Sequence, residues 1–390
     1  MKLSELLQQA IVQGATDVHL EAGKQPYFRL GHDLQIGSDM TMTENVFDEI
    51  QLACEWGELK AEEISSRSDN KIIQLTDNDI SDKQLTIEQM IEQTHSLHRN
   101  GLTLNKVADT RGVYQPKSKD SAFTFQNVRV RVHLYKAQQS MCGTLRILYN
   151  QSLAMPTGEA GKLLHHIVKL QEGLVLVSGP TGSGKSFTLA SCLECINKEA
   201  HKHIITLEDP IEFTFQNKGS LIHQRQLGQD MDSMAAGVRD ALREDPDVIM
   251  IGELRDRETL EAALHAAETG HLVFATLHTQ RAVMAINRMI SVFPAEQQEE
   301  VRAQLSQVLR AVLCQRLVRI ETKFIVVRDI LLNTPAVANL IRQRKEPQIV
   351  SIQETQPPMQ TMEMAVAMLE KEWGPRAELK EVLEQSYEML

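Results

Sequence analysis

"LVLVSGPTGSGKS", residues 174–186, is a short apolar run that breaks into glycines and closes on a lysine and a serine. Gly179, Gly184, Lys185 and Ser186 fit the spacing G-x-x-x-x-G-K-[ST]. Residues 174–177 read as a buried strand, and a helix is predicted to begin near Lys185. The glycines let the backbone between them curl, so that successive N–H groups point inward at phosphate oxygens, and the helix adds the positive end of its dipole. Gly179, Pro180, Thr181, Gly182, Ser183, Gly184, Lys185 and Ser186 are therefore a candidate cradle for the phosphates of ATP. In such a loop the lysine reaches the β- and γ-phosphates and the serine hydroxyl ligates Mg²⁺.

Outward from the loop, apolar strand-like runs recur at 203–207, 248–251 and 272–277, with helical patterns between them. That alternation predicts a largely parallel sheet sandwiched by helices, with its chemistry gathered at the carboxyl edge of the strands. Three further stretches end at that edge. "IITLEDPIEF" sets Glu208 and Asp209 just past one strand, and "PDVIMIGELRD" sets Glu253 past another. Taken singly, an acid in that place is a helix N-cap or a solvated turn. Two of them downstream of a phosphate loop point to carboxylates that orient water, accept its proton or hold Mg²⁺. In "TGHLVFATLHT", His271 and His278 bracket a strand. One histidine there reads as a satisfied turn residue, and the pair reads as a candidate sensor of the γ-phosphate.

The bulk properties limit the alternatives. A chain of 390 residues with 42% hydrophobic and 24% charged residues has the make-up of a soluble protein with two or three domains. No apolar run approaches the length of a membrane span and the opening Met-Lys-Leu-Ser-Glu is no signal peptide, so a cytoplasmic location is expected. A net charge of −11 and only 4% aromatic residues argue against a protein that tracks nucleic acid. The five cysteines suggest no disulfide framework. Cys192-Leu-Glu-Cys195 has the spacing of a zinc or redox motif, but it falls on the helix after the phosphate loop with no second pair at finger spacing, which favours packing.

The first 150 residues read as a separate domain. Leu3, Leu6, Leu7, Ala10 and Ile11 have helical spacing, with Gly14 as a terminator. "TDVHLEAGKQPYFRLGHDLQI" alternates as a hairpin does, around Gly23 and Gly31. Residues from about 56 to 120 are polar, with weak helical periodicity only near 85–97, and read as an irregular insertion. In "QNVRVRVHLYKA", Val128, Val130, Val132 and Leu134 face one way, and Arg129, Arg131 and His133 the other. The basic row is either a solvated face or a set of arginines aimed at a phosphate in a neighbouring subunit. Residues 151–158 form a Pro- and Gly-containing linker, 159–320 the nucleotide domain and 321–390 a helical region.

In this order, "GATDVHLEAG", "GPTGSGKS", "ITLEDPIEF", "ALREDPDVIMIGELRD" and "AAETGHLVFATLHT" resemble the secretion ATPase superfamily of type IV pili, type II secretion and related systems. They look like its N-terminal signature, Walker A, Asp box, Walker B and His box, and the PilT branch of retraction motors in particular. The resemblance implies a PAS-like α+β domain, a RecA-like P-loop ATPase domain and a helical C-terminal tail. It implies ATP and Mg²⁺, with Ser186 and Glu208 at the metal, Glu253 as general base, His271 and His278 as the His-box pair, and Arg129, Arg131 and Arg146 offered to the adjacent subunit. It further implies a homo-hexamer at the inner membrane, docked on a platform protein and in some systems working beside a paralogous ATPase.

The branch rests on two features. Assembly and export ATPases carry a pair of C-x-x-C motifs after Walker B, where this chain has only Cys314. Retraction motors carry A-I-R-N-L-I-R-E, where this chain reads "AVANLIRQ" at 336–343, agreeing at five of eight positions. Val337, Leu340 and Ile341 would supply an apolar stripe for packing, leaving the stretch dispensable for bond cleavage. A pilus-assembly, type II secretion or conjugation ATPase, or an accessory ring subunit dependent on a catalytic paralogue, are the alternative functions.

Overall fold

Leu3, Leu6, Leu7 and Ala10 share one helical face, and α1 (Leu3–Val12) buries all four. Gly14, at φ +72°, turns the chain out of the helix into an antiparallel meander of β1 (Asp17–Glu21), β2 (Tyr27–Leu30) and β3 (Asp33–Ile36). Next come α2 (Glu44–Trp56), the short β4 (Glu58–Leu59), and the long β5 (Ser118–Phe125), β6 (Val128–Ala137) and β7 (Ser140–Leu148). The computed structural model describes residues 2–30, 33–56, 58–59, 118–126, 128–148, 153–321 and 323–387. Almost all of the expected insertion at 56–120, including the weak periodicity at 85–97, lies outside them.

Among the described residues the first sheet has the order β3-β2-β1-β7-β6-β5-β4. One face carries Val18, Leu20, Phe28, Phe123, Val130, Val132 and Leu145, which form a core with Leu3, Leu6 and Leu7 of α1 and Phe47 and Ile50 of α2. Strand periodicity then puts the polar residues of the same strands on the opposite face. This is the α+β architecture expected of the N-terminal part.

The chain divides into two units, Met1–Asn150 and Gln151–Leu390. The second opens with α3 (Gly158–Ile167), β8 (Gly173–Ser178) and α4 (Lys185–Glu199). It continues through β9 (His203–Glu208), β10 (Leu221–Gln226), α5 (Met234–Ala241), β11 (Val248–Ile251), α6 (Arg257–Glu268) and β12 (Leu272–Leu277). After α7 (Ala282–Ser291) and α8 (Gln298–Val308) come β13 (Leu309–Ile320) and β14 (Lys323–Leu332). The helices α9 (Pro335–Arg342), α10 (Ile349–Thr355), α11 (Met362–Trp373) and α12 (Ala377–Tyr387) close the unit.

Among the described residues the second sheet runs β10-β9-β11-β12-β8-β13-β14, parallel except for β14. Every residue of β8 is buried, because it lies between two cores. Leu174 and Leu176 join the cluster that includes Val238, Ala263 and Ile286, while Val175 and Val177 join the one that includes Leu164, Leu189 and Leu193. A two-sided parallel sheet of this kind is the RecA-like architecture implied by the resemblance.

The region from 321 onward is not helical from its start. Lys323–Leu332 pairs residue for residue with β13, from Ile320↔Lys323 to Ala311↔Leu332, and the helices begin only at Pro335. The hairpin is held because Ile330 and Leu331 enter the two cores of the sheet, while Val318, Ile320 and Val327 pack against Met362, Val366 and Leu379 of the last helices. Val337 and Ile341 of the "AVANLIRQ" stretch are fully buried and join the sheet's core, so the apolar stripe packs inward.

Candidate active site

At the carboxyl end of β8 the chain passes through Gly179, Gly182 and Gly184 at φ +142°, +78° and +81°, values that a side chain would strain. Gly179 also has no room for a Cβ, which would meet the Gln315 carbonyl oxygen at 2.3 Å and Ser183 Oγ at 2.6 Å. The loop wraps onto the helix beginning at Lys185, with Gly184 as its left-handed N-cap. Lys185, 9% exposed, donates to the carbonyls of Gly179 at 2.7 Å and Pro180 at 2.9 Å. Burial lowers its pKa, and the Glu253 carboxylate is the largest opposing influence. Ser186, Thr181 and Gly182 are exposed.

Strand order fixes what stands beside the loop. β9, β11, β12 and β8 are parallel neighbours, so residues just past their ends share one edge. Glu208 ends β9; Glu253 follows β11 after Gly252, whose N–H donates to the Leu207 carbonyl at 2.7 Å; His278 follows β12, whose Leu277 pairs with Ser178. His278 Nε2 lies 3.3 Å from Glu253 Oε1, and Arg255 Nε donates to Glu253 Oε2 at 2.7 Å. Arg255 also reaches Asp209 at 3.5 Å. Burial lowers the pKa of His278, helped by the Lys185 charge and opposed by Glu253. A neutral imidazole therefore stands against the carboxylate at neutral pH.

Glu208 is 8% exposed and accepts from the Thr206 hydroxyl at 2.7 Å and Gln224 Nε2 at 3.2 Å. Burial raises its pKa to about 7 against those hydrogen bonds. A buried carboxyl in that condition suits a cation, which would restore its ionised form. Ser183 Oγ, beside Gly179, is buried and has no hydrogen-bond partner among the described residues. Together these fit a site for a metal-bound polyphosphate.

His271 does not join this group. It precedes β12, so the six residues of the strand, roughly 20 Å, separate it from His278. Its Nδ1 lies 3.0 Å from the Ala266 carbonyl and 3.1 Å from Thr269 Oγ1, which makes it a turn residue at the end of α6. The reading of a paired γ-phosphate sensor within one subunit is corrected accordingly.

The arginines lie in the first unit. Arg131 stands opposite Arg146, which stands opposite Asp17, which stands opposite Arg29, all on the face turned from the core. Arg146 Nε donates to Asp17 Oδ1 at 2.8 Å. Arg129 is 9% exposed and donates to Thr124 Oγ1 at 3.2 Å. Arg131 and Arg146 stand opposite each other on adjacent strands, and Asp17 answers the charge of Arg146.

Two functional residues escaped the sequence reading. Gln315, fully buried on β13, donates from Nε2 to the Ser183 carbonyl at 2.8 Å and accepts from Thr188 Oγ1 at 3.1 Å. It braces the phosphate loop from the neighbouring strand. The other, Arg255, holds Glu253. Gln315 carries no local signal, because only the register of β13 against β8 brings it to the loop.

The chain is similar to known proteins. Residues 102–382 match the family described as type II/IV secretion system protein. The chain is 34% identical over 370 residues to the "Type IV pilus retractation ATPase PilT" of Pseudomonas aeruginosa, covering 94% of this chain and 93% of that one. It is 44% identical over 265 residues to a "Twitching motility protein" of Neisseria gonorrhoeae, covering 66% of this chain and 71% of that one. Among solved structures, the pilus retraction motor PilT with bound ADP superposes with a TM-score of 0.74 at 33% identity, over 98% of this chain and 97% of that one.

Proposed function

The chain belongs to the type II/IV secretion ATPase family, in its PilT-like branch, and we propose that it is a hexameric motor in which ATP hydrolysis drives the retraction of a type IV pilus. The observation that carries this reading is the meeting of the phosphate loop, Lys185, Glu253 and His278 at one sheet edge, with Glu253 held between His278 and Arg255.

The loop amides receive the phosphates, and Lys185 exchanges its two backbone acceptors for phosphate oxygens. Ser186 and Glu208 would hold Mg²⁺, whose chemistry is to neutralise charge on the β- and γ-phosphates. Glu253 orients the attacking water and takes its proton. His278 and Arg255 fix the two oxygens of Glu253 so that one lone pair faces the water. Arg131, Arg146 and Arg129, gathered on β6 and β7, answer the phosphates of a neighbouring subunit. Activity then requires the ring, and the ring works in the cytoplasm against a platform protein at the inner membrane. Among the described residues no helix is long and apolar enough to cross a membrane.

Direction is tested in cells carrying Glu253→Gln in place of the native chain. A retraction motor leaves surface fibres present, in excess and unable to shorten. Loss of the fibres would instead assign the chain to assembly.

A further inference from the structure

Among the described residues one cluster of side chains able to bind a metal lies away from the phosphate loop. A ring nitrogen of His165 on α3, and Cys195 Sγ and a carboxylate oxygen of Glu199 on α4, all lie within 4.8 Å of one another. Cys195 and Glu199 are one helical turn apart, so they project from the same face of α4. His165 Nδ1 stands 2.8 Å from the Gly161 carbonyl. That contact makes Nδ1 the protonated nitrogen and leaves the lone pair on Nε2, the arrangement by which proteins orient a metal-ligating histidine.

The two cysteines of Cys192-Leu-Glu-Cys195 have separate environments. Cys192 belongs to the core cluster with Leu189 and Leu193, whereas Cys195 is outside that cluster and turned to His165 and Glu199. The C-x-x-C spacing is therefore not the ligand pair; the pair is Cys195 with Glu199. A cleft of about 650 Å³, lined by Met155, Pro156, Gly158, Gly161, His165 and Lys169, gives His165 access to solvent.

We propose that His165, Cys195 and Glu199 form a binding site for a thiophilic divalent transition ion, Zn²⁺ by preference. One nitrogen, one sulfur and one carboxylate oxygen suit zinc, with a solvent molecule as fourth ligand. Around one zinc ion such atoms stand about 3.5 Å apart. Small side-chain rotations, of which the exposed Glu199 has the most room, would bring the three atoms from within 4.8 Å to that distance. On binding, the Cys195 thiol gives its proton to solvent and no electron moves. The ion would cross-link α3, which follows the linker, to α4, whose first residue is Lys185.

The test uses the full chain, stripped by a chelator and titrated with Co²⁺ and then Zn²⁺ without nucleotide. One equivalent of Co²⁺ should produce a thiolate-to-cobalt charge-transfer band that Zn²⁺ abolishes. Zn²⁺ should raise the thermal unfolding midpoint by several degrees. Cys195→Ser should remove the band and the thermal shift, and His165→Gln or Glu199→Gln should each weaken Zn²⁺ binding tenfold or more. Cys192→Ser should keep the band. Far-ultraviolet circular dichroism matching the wild type confirms that each variant is folded, and Glu199→Gln alters only an exposed side chain. The proposal is overturned by the absence of a band, by a band that survives Cys195→Ser or disappears in Cys192→Ser, or by unchanged Zn²⁺ affinity in folded His165→Gln and Glu199→Gln proteins.

Discussion

The two sheets place their polar groups in opposite ways. In the second unit, β8, β11 and β12 are buried along their whole length, so nothing chemical can sit on their faces and the reactive groups appear where the strands end. In the first unit, among the described residues, helices pack on one face of the sheet, and the other face carries Arg29, Arg131 and Arg146 across adjacent strands. An edge site holds a few groups in fixed positions around one small molecule. A face site presents charge over an area, which suits a surface brought to it from elsewhere. On the function proposed above, bond cleavage would belong to the first arrangement and its control by a neighbour to the second.

The largest effect that could break this division is at the edge. Lys185→Ala should abolish nucleotide binding, whereas Glu253→Gln should keep binding and lower kcat by roughly 10³-fold; calorimetry and a phosphate-release assay separate the two. Near-normal turnover in Glu253→Gln would remove that residue from the role of base. Next in size is the face. Arg131→Ala with Arg146→Ala should lower turnover by about 10²-fold and recover part of it when mixed with Lys185→Ala protein, since one mixed interface keeps both intact halves. Failure of rescue in rings shown to be mixed would make the arginines purely structural.

A finer test sits on the brace of the loop. Gln315→Ala frees the Ser183 carbonyl and the Thr188 hydroxyl, and nucleotide Kd should rise about tenfold, with the far-ultraviolet spectrum preserved. The smallest effect leaves turnover alone and appears only as stability. Asp329 accepts from the Ala282 amide at 3.0 Å and from Gln353 Nε2 at 2.7 Å, and burial raises its pKa to about 6. Between the ordinary carboxylate pKa and 6 the folded chain binds more protons than the unfolded one, so this group's contribution falls as pH rises through that window. The stability of Asp329→Asn relative to wild type should therefore climb from pH 4 to pH 6, by up to about 3 kcal/mol, and level off above. A flat difference across that range in urea unfolding would show that the carboxyl is not held protonated.

The same contrast explains what the sequence made legible. Residues 174–186 announced strand, loop and helix because buried parallel strands are continuous apolar runs and glycine marks the turn. Val128 to Leu134 announced a one-sided strand through its alternation. The hairpin of β13 and β14 was harder to read as part of the sheet, because Gln315, Arg316, Arg328 and Asp329 interrupt its apolar pattern, although all four are buried and most find partners only through tertiary contact. His271 and His278 looked alike because a sequence does not show which end of a strand reaches the site. The His165, Cys195 and Glu199 cluster was hidden behind the more conspicuous Cys192-Leu-Glu-Cys195 spacing, whose first cysteine faces the core.

The contact of Lys185 with the Gly179 and Pro180 carbonyls has a kinetic meaning. A phosphate that draws the ammonium away must replace two good hydrogen bonds, so binding is a substitution and its affinity reports only the difference between old and new partners. On the function proposed above, the same two carbonyls would take the ammonium back as product leaves, so the loop would act like a turnstile with a return spring, trading some grip on the nucleotide for a shorter residence of the spent one.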